Sequence, residues 1–280
     1  FIKIFFKRKR QIRFFHNIYP CTESAIKQYI ASETPPNLEQ TNTFSAQGYP
    51  ALDYLVNGIA PNQAAILAYY QGADAGKTLA YIDLVLKHMD SLLKQVISDW
   101  QGTAKAEFIK RSGTDIGSSF SQLVNASVLH YERYMRSGKI GIPSGAMLNG
   151  ITAPQNVEAF YSKTKSKVLL LKAHQAYVDF FNGVAIYSGN QGPSLRSYLN
   201  GIGAKDLTTS VFLSEIINTQ FEKVGQSFSL LSDNFSNEIS TNPSKLKASF
   251  AEMQKAVSLL KVDMTSALTV TITYTDNDGD

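Results

Sequence analysis

The chain has 280 residues, of which 44% are hydrophobic and 18% are charged, so it can bury one large core or two smaller ones. Residues 1–13 hold six cations and no acid, and subtracting them from the net charge of +4 leaves −2 for the rest. The composition therefore excludes a basic nucleic-acid-binding surface on the folded part. It also excludes a membrane span, since no apolar run of about 20 residues occurs.

The first residues do not match a secretory leader, which places its charges before its apolar run. Here Phe and Ile residues lie before and among the cations, so we expect residues 1–16 to lie outside the fold. Cys21 is the only cysteine, which excludes an internal disulfide. The bulky pair Tyr19 and Pro20 before it also argues against lipidation at this position.

The first half of the chain predicts short helices around residues 23–31 and 64–70, with another between Gly48 and Gly58. Pro50 suits the first helical position, where a missing N–H is not needed. Asp53 then falls in the first turn, where the helix dipole favours a carboxylate. This pattern is typical either of a functional site or of a capped helix alone.

A long helix is predicted from Asp74, its expected cap, to Arg111, because apolar residues recur at spacings of three and four. The short helices before it span about 10–14 Å, against about 50 Å for this helix, at about 1.5 Å per residue. We therefore expect an exposed apolar strip on the long helix. The stripe consists of Leu79, Ile82, Leu86, Met89, Leu93, Val96 and Trp100.

The second half predicts four longer helices, enough to close a bundle without the first half. A break is expected at Gly113–Gly117, and the alternating tail 270–274 favours a strand. The helices are predicted over residues 118–137, 166–181, 207–239 and 243–267.

No familiar catalytic or metal motif is complete in this sequence. The four histidines, His16, His88, His130 and His174, lack the paired spacing of a zinc helix. Ser144 lies in Gly-Ile-Pro-Ser-Gly, but a helix precedes it where a nucleophile elbow needs a strand, so this serine is expected to cap or line a turn. The last five residues resemble half of a calcium loop without its closing Glu, and a solvated acidic tail is the simpler interpretation.

Residues 47–58 resemble the signature segment of the imelysin-like proteins, whose motif is Gly-x-His-x-x-Glu. Gly48 matches the glycine, Pro50 replaces the histidine, and Asp53 replaces the glutamate. The resemblance covers about residues 15–280. Further segments that carry it are Asn17–Pro20, Leu123–Asn125, Lys139–Gly145, Glu158–Ser162 and Leu260–Ser266.

The resemblance implies an all-α fold of two helical bundles packed together, with a binding site in the cleft between them. Family members carry additional helices upstream, so residues 17–112 are expected to form an incomplete first bundle. Residues 113–280 are expected to form the second, a four-helix bundle. Both Gly/Pro turn segments carry acids at the start or end of helices, so we expect the cleft to bring together Gly48, Pro50, Asp53, Glu132, Ser144, Glu158 and Tyr161.

The resemblance also links the chain to iron uptake in the bacterial envelope, in the periplasm or as an outer-membrane lipoprotein whose leader is not in this sequence. One hypothesis is a non-catalytic protein that binds a ligand or an envelope partner in the cleft. The alternative is a metal-dependent peptidase, since the founding member was described as one. Pro50 favours binding, because its side chain can neither coordinate a metal nor move a proton. No cofactor is required, although iron or another divalent metal is compatible with the family.

Overall fold

A computed structural model describes residues 16–274, and the regular structure in this range is helical. Besides helices, the described residues contain two isolated antiparallel bridges, Val184 with Gln191 and Lys205 with Phe212. The predicted all-α class is confirmed. Within residues 16–274, no helix is both long enough and apolar enough to span a bilayer. The prediction for the basic start falls outside the described residues, apart from His16, whose side chain is buried.

Two compact units make up the chain. Of the described residues, unit 1 comprises 16–110 and 155–164, and unit 2 comprises 111–154 and 165–274. The short segment 155–164 returns to unit 1, an arrangement that sequence order alone does not show.

The described part of unit 1 is built mainly from short helices. The predicted helices near residues 23–31 and 64–70 are both present, and the Asn62 side chain caps the second by accepting from the Ala65 N–H at 2.9 Å. The helices are α1 (Glu23–Ala31), α2 (Gly48–Asn57), α3 (Gln63–Tyr69), α4 (Ala75–Asp99) and α5 (Lys105–Lys110).

Helices α1, α2 and α4 share one hydrophobic core. Ile26 of α1, Leu55 of α2 and Val85 of α4 are all fully buried in it. The Tyr81 hydroxyl donates to the backbone carbonyl of Ala46 at 2.6 Å, which ties α4 to the turn before α2. This core fixes α2, the helix that carries the signature residues.

The prediction of one helix from 74 to 111 is wrong in its length. Helix α4 ends at Asp99, and a π-helical segment, Trp100–Ala104, separates it from α5. Gly102 within that segment has a non-helical ψ of −130°, so the chain kinks there. Asp74 occupies the N-cap position as predicted, but its side chain makes no capping bond.

The expected exposed apolar strip on α4 is confirmed. Leu79, Leu86 and Leu93 lie seven residues apart and are 53%, 48% and 44% exposed. The opposite face carries Tyr81 and Val85, which are buried. Of the other stripe residues, Met89 is buried and Ile82, Val96 and Trp100 are half-buried, so the predicted stripe is only partly exposed.

Unit 2 contains the helices of the second half of the chain. The first and the penultimate of them each continue into a π-helical stretch, His130–Gly141 and Leu259–Met264. The helices are α6 (Ser119–Leu129), α7 (Ser166–Asn182), α8 (Leu195–Gly201), α9 (Leu213–Ser229), α10 (Phe235–Thr241), α11 (Ser244–Ser258) and α12 (Thr265–Ala267).

The prediction of one helix over 207–239 is wrong. The Asp206 carboxylate accepts from the backbone N–H groups of Thr208 and Thr209 at 3.1 and 2.7 Å, which holds a turn before α9. Residues between α9 and α10 are also non-helical. Helix α8 was not predicted. Ser194 and Ser197 form a capping box at its start, and their spacing of three residues could have indicated it.

The predicted strand at residues 270–274 does not form. Its backbone pairs instead with one side chain, because the Asn125 amide donates to the Thr271 carbonyl at 2.9 Å and accepts from the Thr273 N–H at 2.8 Å. An amide side chain can satisfy one donor and one acceptor in the way that a neighbouring strand does. Asn125 thus fixes the described end of the chain to α6.

Candidate ligand site around Asp53

The start of α2 is shaped by Gln47 and Gly48. The buried Gln47 amide donates to the Leu38 carbonyl at 2.7 Å and to the Thr43 hydroxyl at 3.2 Å. Gly48 has a φ of 74°, a left-handed conformation that favours glycine. Pro50 is buried and is the third residue of the helix, so the prediction that it occupies the first position is wrong.

The sequence predicted that Asp53 stabilises the first turn of its own helix. In the structure Asp53 lies beyond that turn and has other partners. Its carboxylate accepts from the backbone N–H of Tyr161 at 2.8 Å and of Ser162 at 3.0 Å. It also accepts from the Asn57 side-chain amide at 3.0 Å. Three donors therefore occupy most of its roughly four acceptor positions.

These bonds hold a tightly turned segment. Ala159 and Lys163 have φ values of 59° and 58°, which non-glycine residues rarely adopt. The Lys163 N–H closes the turn on the Ala159 carbonyl at 3.0 Å. Such conformations persist only where surrounding bonds enforce them. The Asp53 carboxylate supplies two of those bonds.

Tyr161 lies at the centre of the contacts around this segment. Its hydroxyl donates to Glu23 Oε1 at 2.7 Å and accepts a weak bond from Cys21 Sγ at 3.6 Å. Burial, followed by the Cys21 and Glu23 contacts, raises the pKa of this phenol far above its usual range. The ring packs edge-on against Tyr54, with 5.1 Å between centroids.

Gly58 gives the Tyr161 ring its space. A Cβ at this position would lie 2.1 Å from the ring carbon Cδ1, closer than any real contact. Gly58, which follows the last residue of α2, is therefore required for packing against Tyr161.

A cavity of about 360 Å³ opens beside Asp53 within unit 1. Its walls combine aromatic rings, two carboxylates, a thiol and an amide. Burial, then Glu158 and Asp53, raises the pKa of the Tyr19 hydroxyl, which places a third carboxylate close to the wall. The lining residues are Tyr19, Pro20, Cys21, Glu23, Pro50, Asp53, Gln155, Phe160 and Tyr161.

The family model of the imelysins, peptidase family M75, matches residues 9–262. The chain belongs to the imelysin family. A similar solved structure is that of a protein described as an iron-regulated protein A precursor from Parabacteroides distasonis, with a TM-score of 0.64 and 16% identity. The match covers 92% of this chain and 75% of that one, and at this identity it shows the shared fold. No curated protein sequence matches significantly.

Three of the predicted imelysin site residues, Pro50, Asp53 and Tyr161, line the cavity. Gly48 sets the backbone before them, and Glu158 acts electrostatically on Tyr19. Glu132 and Ser144 belong to unit 2, and their part in one site with Asp53 stays a prediction.

Sequence reasoning missed six lining residues: Tyr19, Pro20, Cys21, Glu23, Gln155 and Phe160. A signal was available for three of them, because Tyr19, Pro20 and Phe160 fall in segments that resemble the imelysins. Nothing in the sequence links the other three to Asp53, since long-range contacts bring them together.

Glu132 and Ser144 have defined roles inside unit 2. The buried Glu132 carboxylate accepts from Lys261 Nζ at 2.8 Å and from the Tyr274 hydroxyl at 2.7 Å. Ser144 is fully buried, and its hydroxyl lies 3.4 Å from the Gly141 carbonyl, a turn contact. The expectation that Ser144 supports a turn agrees with this geometry.

The residues around Asp53 do not fit a metal ion of the kind that the imelysin motif suggests. The Asp53 oxygens already accept from three N–H groups, and Pro50 offers no ligand atom. Glu23, the other lining carboxylate, binds the Tyr161 hydroxyl. Across residues 16–274, no group of three or more His, Cys, Asp or Glu side chains is arranged to hold a metal.

Proposed function

We propose that this imelysin-family chain is a non-catalytic protein of the bacterial envelope, which binds a ligand or partner at the Asp53 cavity in connection with iron uptake. The observation that carries the proposal is that the Asp53 carboxylate is already occupied by backbone hydrogen bonds. It anchors residues 161 and 162 through their N–H groups. A carboxylate committed in this way is a weaker metal ligand and a weaker general base, because three N–H donors already use most of its lone pairs.

The connection with iron and with the envelope is supported by the structural neighbour, which is described as an iron-regulated precursor. The cavity itself supports binding. Its volume of about 360 Å³ falls in the range of small-molecule sites, and its walls combine three aromatic rings with two prolines and four polar side chains.

The second candidate is a metal-dependent peptidase, favoured by the name of the matching family model. It requires a metal or an activated water near the signature helix. Pro50 and the committed Asp53 supply neither a free ligand nor a free base there.

An activity assay separates the two candidates. The purified chain is incubated with casein and a mixed peptide library, with Zn²⁺ or Fe²⁺ and with EDTA. We expect no cleavage above the buffer control in any arm. Cleavage that copurifies with the chain and is abolished by EDTA would establish the peptidase and overturn the binding proposal.

A further inference from the structure

Acidic groups outnumber basic ones around the Asp53 cavity. Among the described residues that line it are the carboxylates of Glu23 and Asp53, and no Lys, Arg or His. Glu158 adds a third carboxylate near Tyr19. The neighbouring Lys27 ammonium lies 3.8 Å from Glu23 Oε2 and is largely exposed, so it can move into solvent.

Aromatic rings form much of the remaining wall. Tyr19, Phe160 and Tyr161 all line the cavity, and the rings of Phe160 and Tyr161 meet edge to face with centroids 5.0 Å apart. The face of an aromatic ring is negative and attracts cations within about 6 Å of its centroid. The rings and the carboxylates therefore both favour a positively charged ligand.

Resting on the proposed binding function, we infer that the cavity binds an organic cation, an alkylammonium group with a short apolar stem. The stem packs on the aromatic walls, and the ammonium hydrogens reach the Gln155 amide oxygen and Oε2 of Glu23, since Oε1 accepts from the Tyr161 hydroxyl. A volume of about 360 Å³ admits such a group. Net negative charge and the lack of a basic lining residue disfavour an anionic ligand.

Three probes of matched size and different charge test the inference: n-butylammonium, n-butanol and butyrate. Each is titrated into the ¹⁵N-labelled protein, and the backbone signals of Tyr161 and Ser162 are followed by NMR. We expect butylammonium to bind at least about fivefold more tightly than butanol, the ratio given by about 1 kcal/mol, and butyrate to bind most weakly.

Two variants assign the effect to the cavity. Glu23→Gln keeps an acceptor for the Tyr161 hydroxyl but removes the charge, and Phe160→Leu keeps an apolar wall but removes the ring. Each should weaken butylammonium binding about two- to fivefold and leave butanol unchanged. The control is Glu33→Gln, an exposed acid outside the lining, which should change neither.

Equal binding of butanol or butyrate, or no loss on Glu23→Gln, would overturn the cation assignment. If none of the three probes shifts the two signals, that assignment is also overturned. Neither result bears on the proposed function, which fails separately if EDTA-sensitive peptide cleavage is found.

Discussion

The carboxylate of Asp53 accepts a 2.8 Å hydrogen bond from the backbone N–H of Tyr161, 108 residues later in the chain. The same carboxylate accepts from the next N–H, that of Ser162. The acid of the imelysin signature is thus a structural anchor for the segment that forms one wall of the cavity.

Replacing Asp53 with Asn should destabilise unit 1. The Asn Nδ2 group carries hydrogens and would face a backbone N–H, which leaves one donor without a partner. We expect a loss of about 1–3 kcal/mol in the free energy of unfolding, measured by urea denaturation. The control Asp90→Asn removes a charge from an exposed pair with Lys94 and should change little. Equal effects of the two substitutions would contradict the anchoring role.

Gly58→Ala should lower the melting temperature, because the added methyl group meets the Tyr161 ring. Overpacking of this kind costs about 1–3 kcal/mol. The matched control is Gly76→Ala in α4, where an added Cβ meets nothing within 4 Å and should stabilise the helix slightly. Thermal unfolding followed by circular dichroism measures both. In the background Tyr161→Leu, the cost of Gly58→Ala should shrink, and an unchanged cost would refute the steric explanation.

The exposed row on α4 should contribute little to the stability of the chain. Leu86→Ser is expected to change the free energy of unfolding by less than about 0.5 kcal/mol. The neighbouring Val85→Ala, at a fully buried position, should cost about 1.5–3 kcal/mol. Denaturant titration of the two variants distinguishes the faces, and a large loss for Leu86→Ser would show that the row is covered.

His174 should make the chain less stable in mild acid. Burial lowers the pKa of this histidine, although the Phe221 carbonyl partly opposes the shift. The unfolded chain therefore binds a proton that the folded chain does not, so stability falls as pH drops below about 6.5. His174→Gln keeps a donor for the Phe221 carbonyl and should reduce this slope by up to about 1.4 kcal/mol per pH unit. Urea titrations at pH 5, 6 and 7 test this, and identical slopes in wild type and variant would contradict it.

The resemblance to the imelysins predicted the all-α class, and helix periodicity and turn residues predicted the short helices of unit 1. The prediction failed where a side chain or a backbone kink interrupts a helical pattern, as Asp206 does before α9 and the non-helical Gly102 does after α4. The prediction of a strand at residues 270–274 failed for a related reason, since Asn125 supplies the hydrogen bonds that a neighbouring strand would make.

The candidate site was predictable only in part. Pro50, Asp53 and Tyr161 follow from segments that resemble the imelysins. Local reasoning could not assign Asp53 its role, because its partners lie 108 and 109 residues away and are backbone groups without a sequence signature. Contacts made through N–H groups leave no trace in residue identity.

The most direct test of the account is anomalous X-ray diffraction from crystals soaked in Zn²⁺ or Fe²⁺. The account predicts that no metal peak lies within bonding distance of the Asp53 oxygens, and that both keep their bonds to the Tyr161 and Ser162 N–H groups. A metal coordinated by Asp53, with those two N–H groups released, would contradict it.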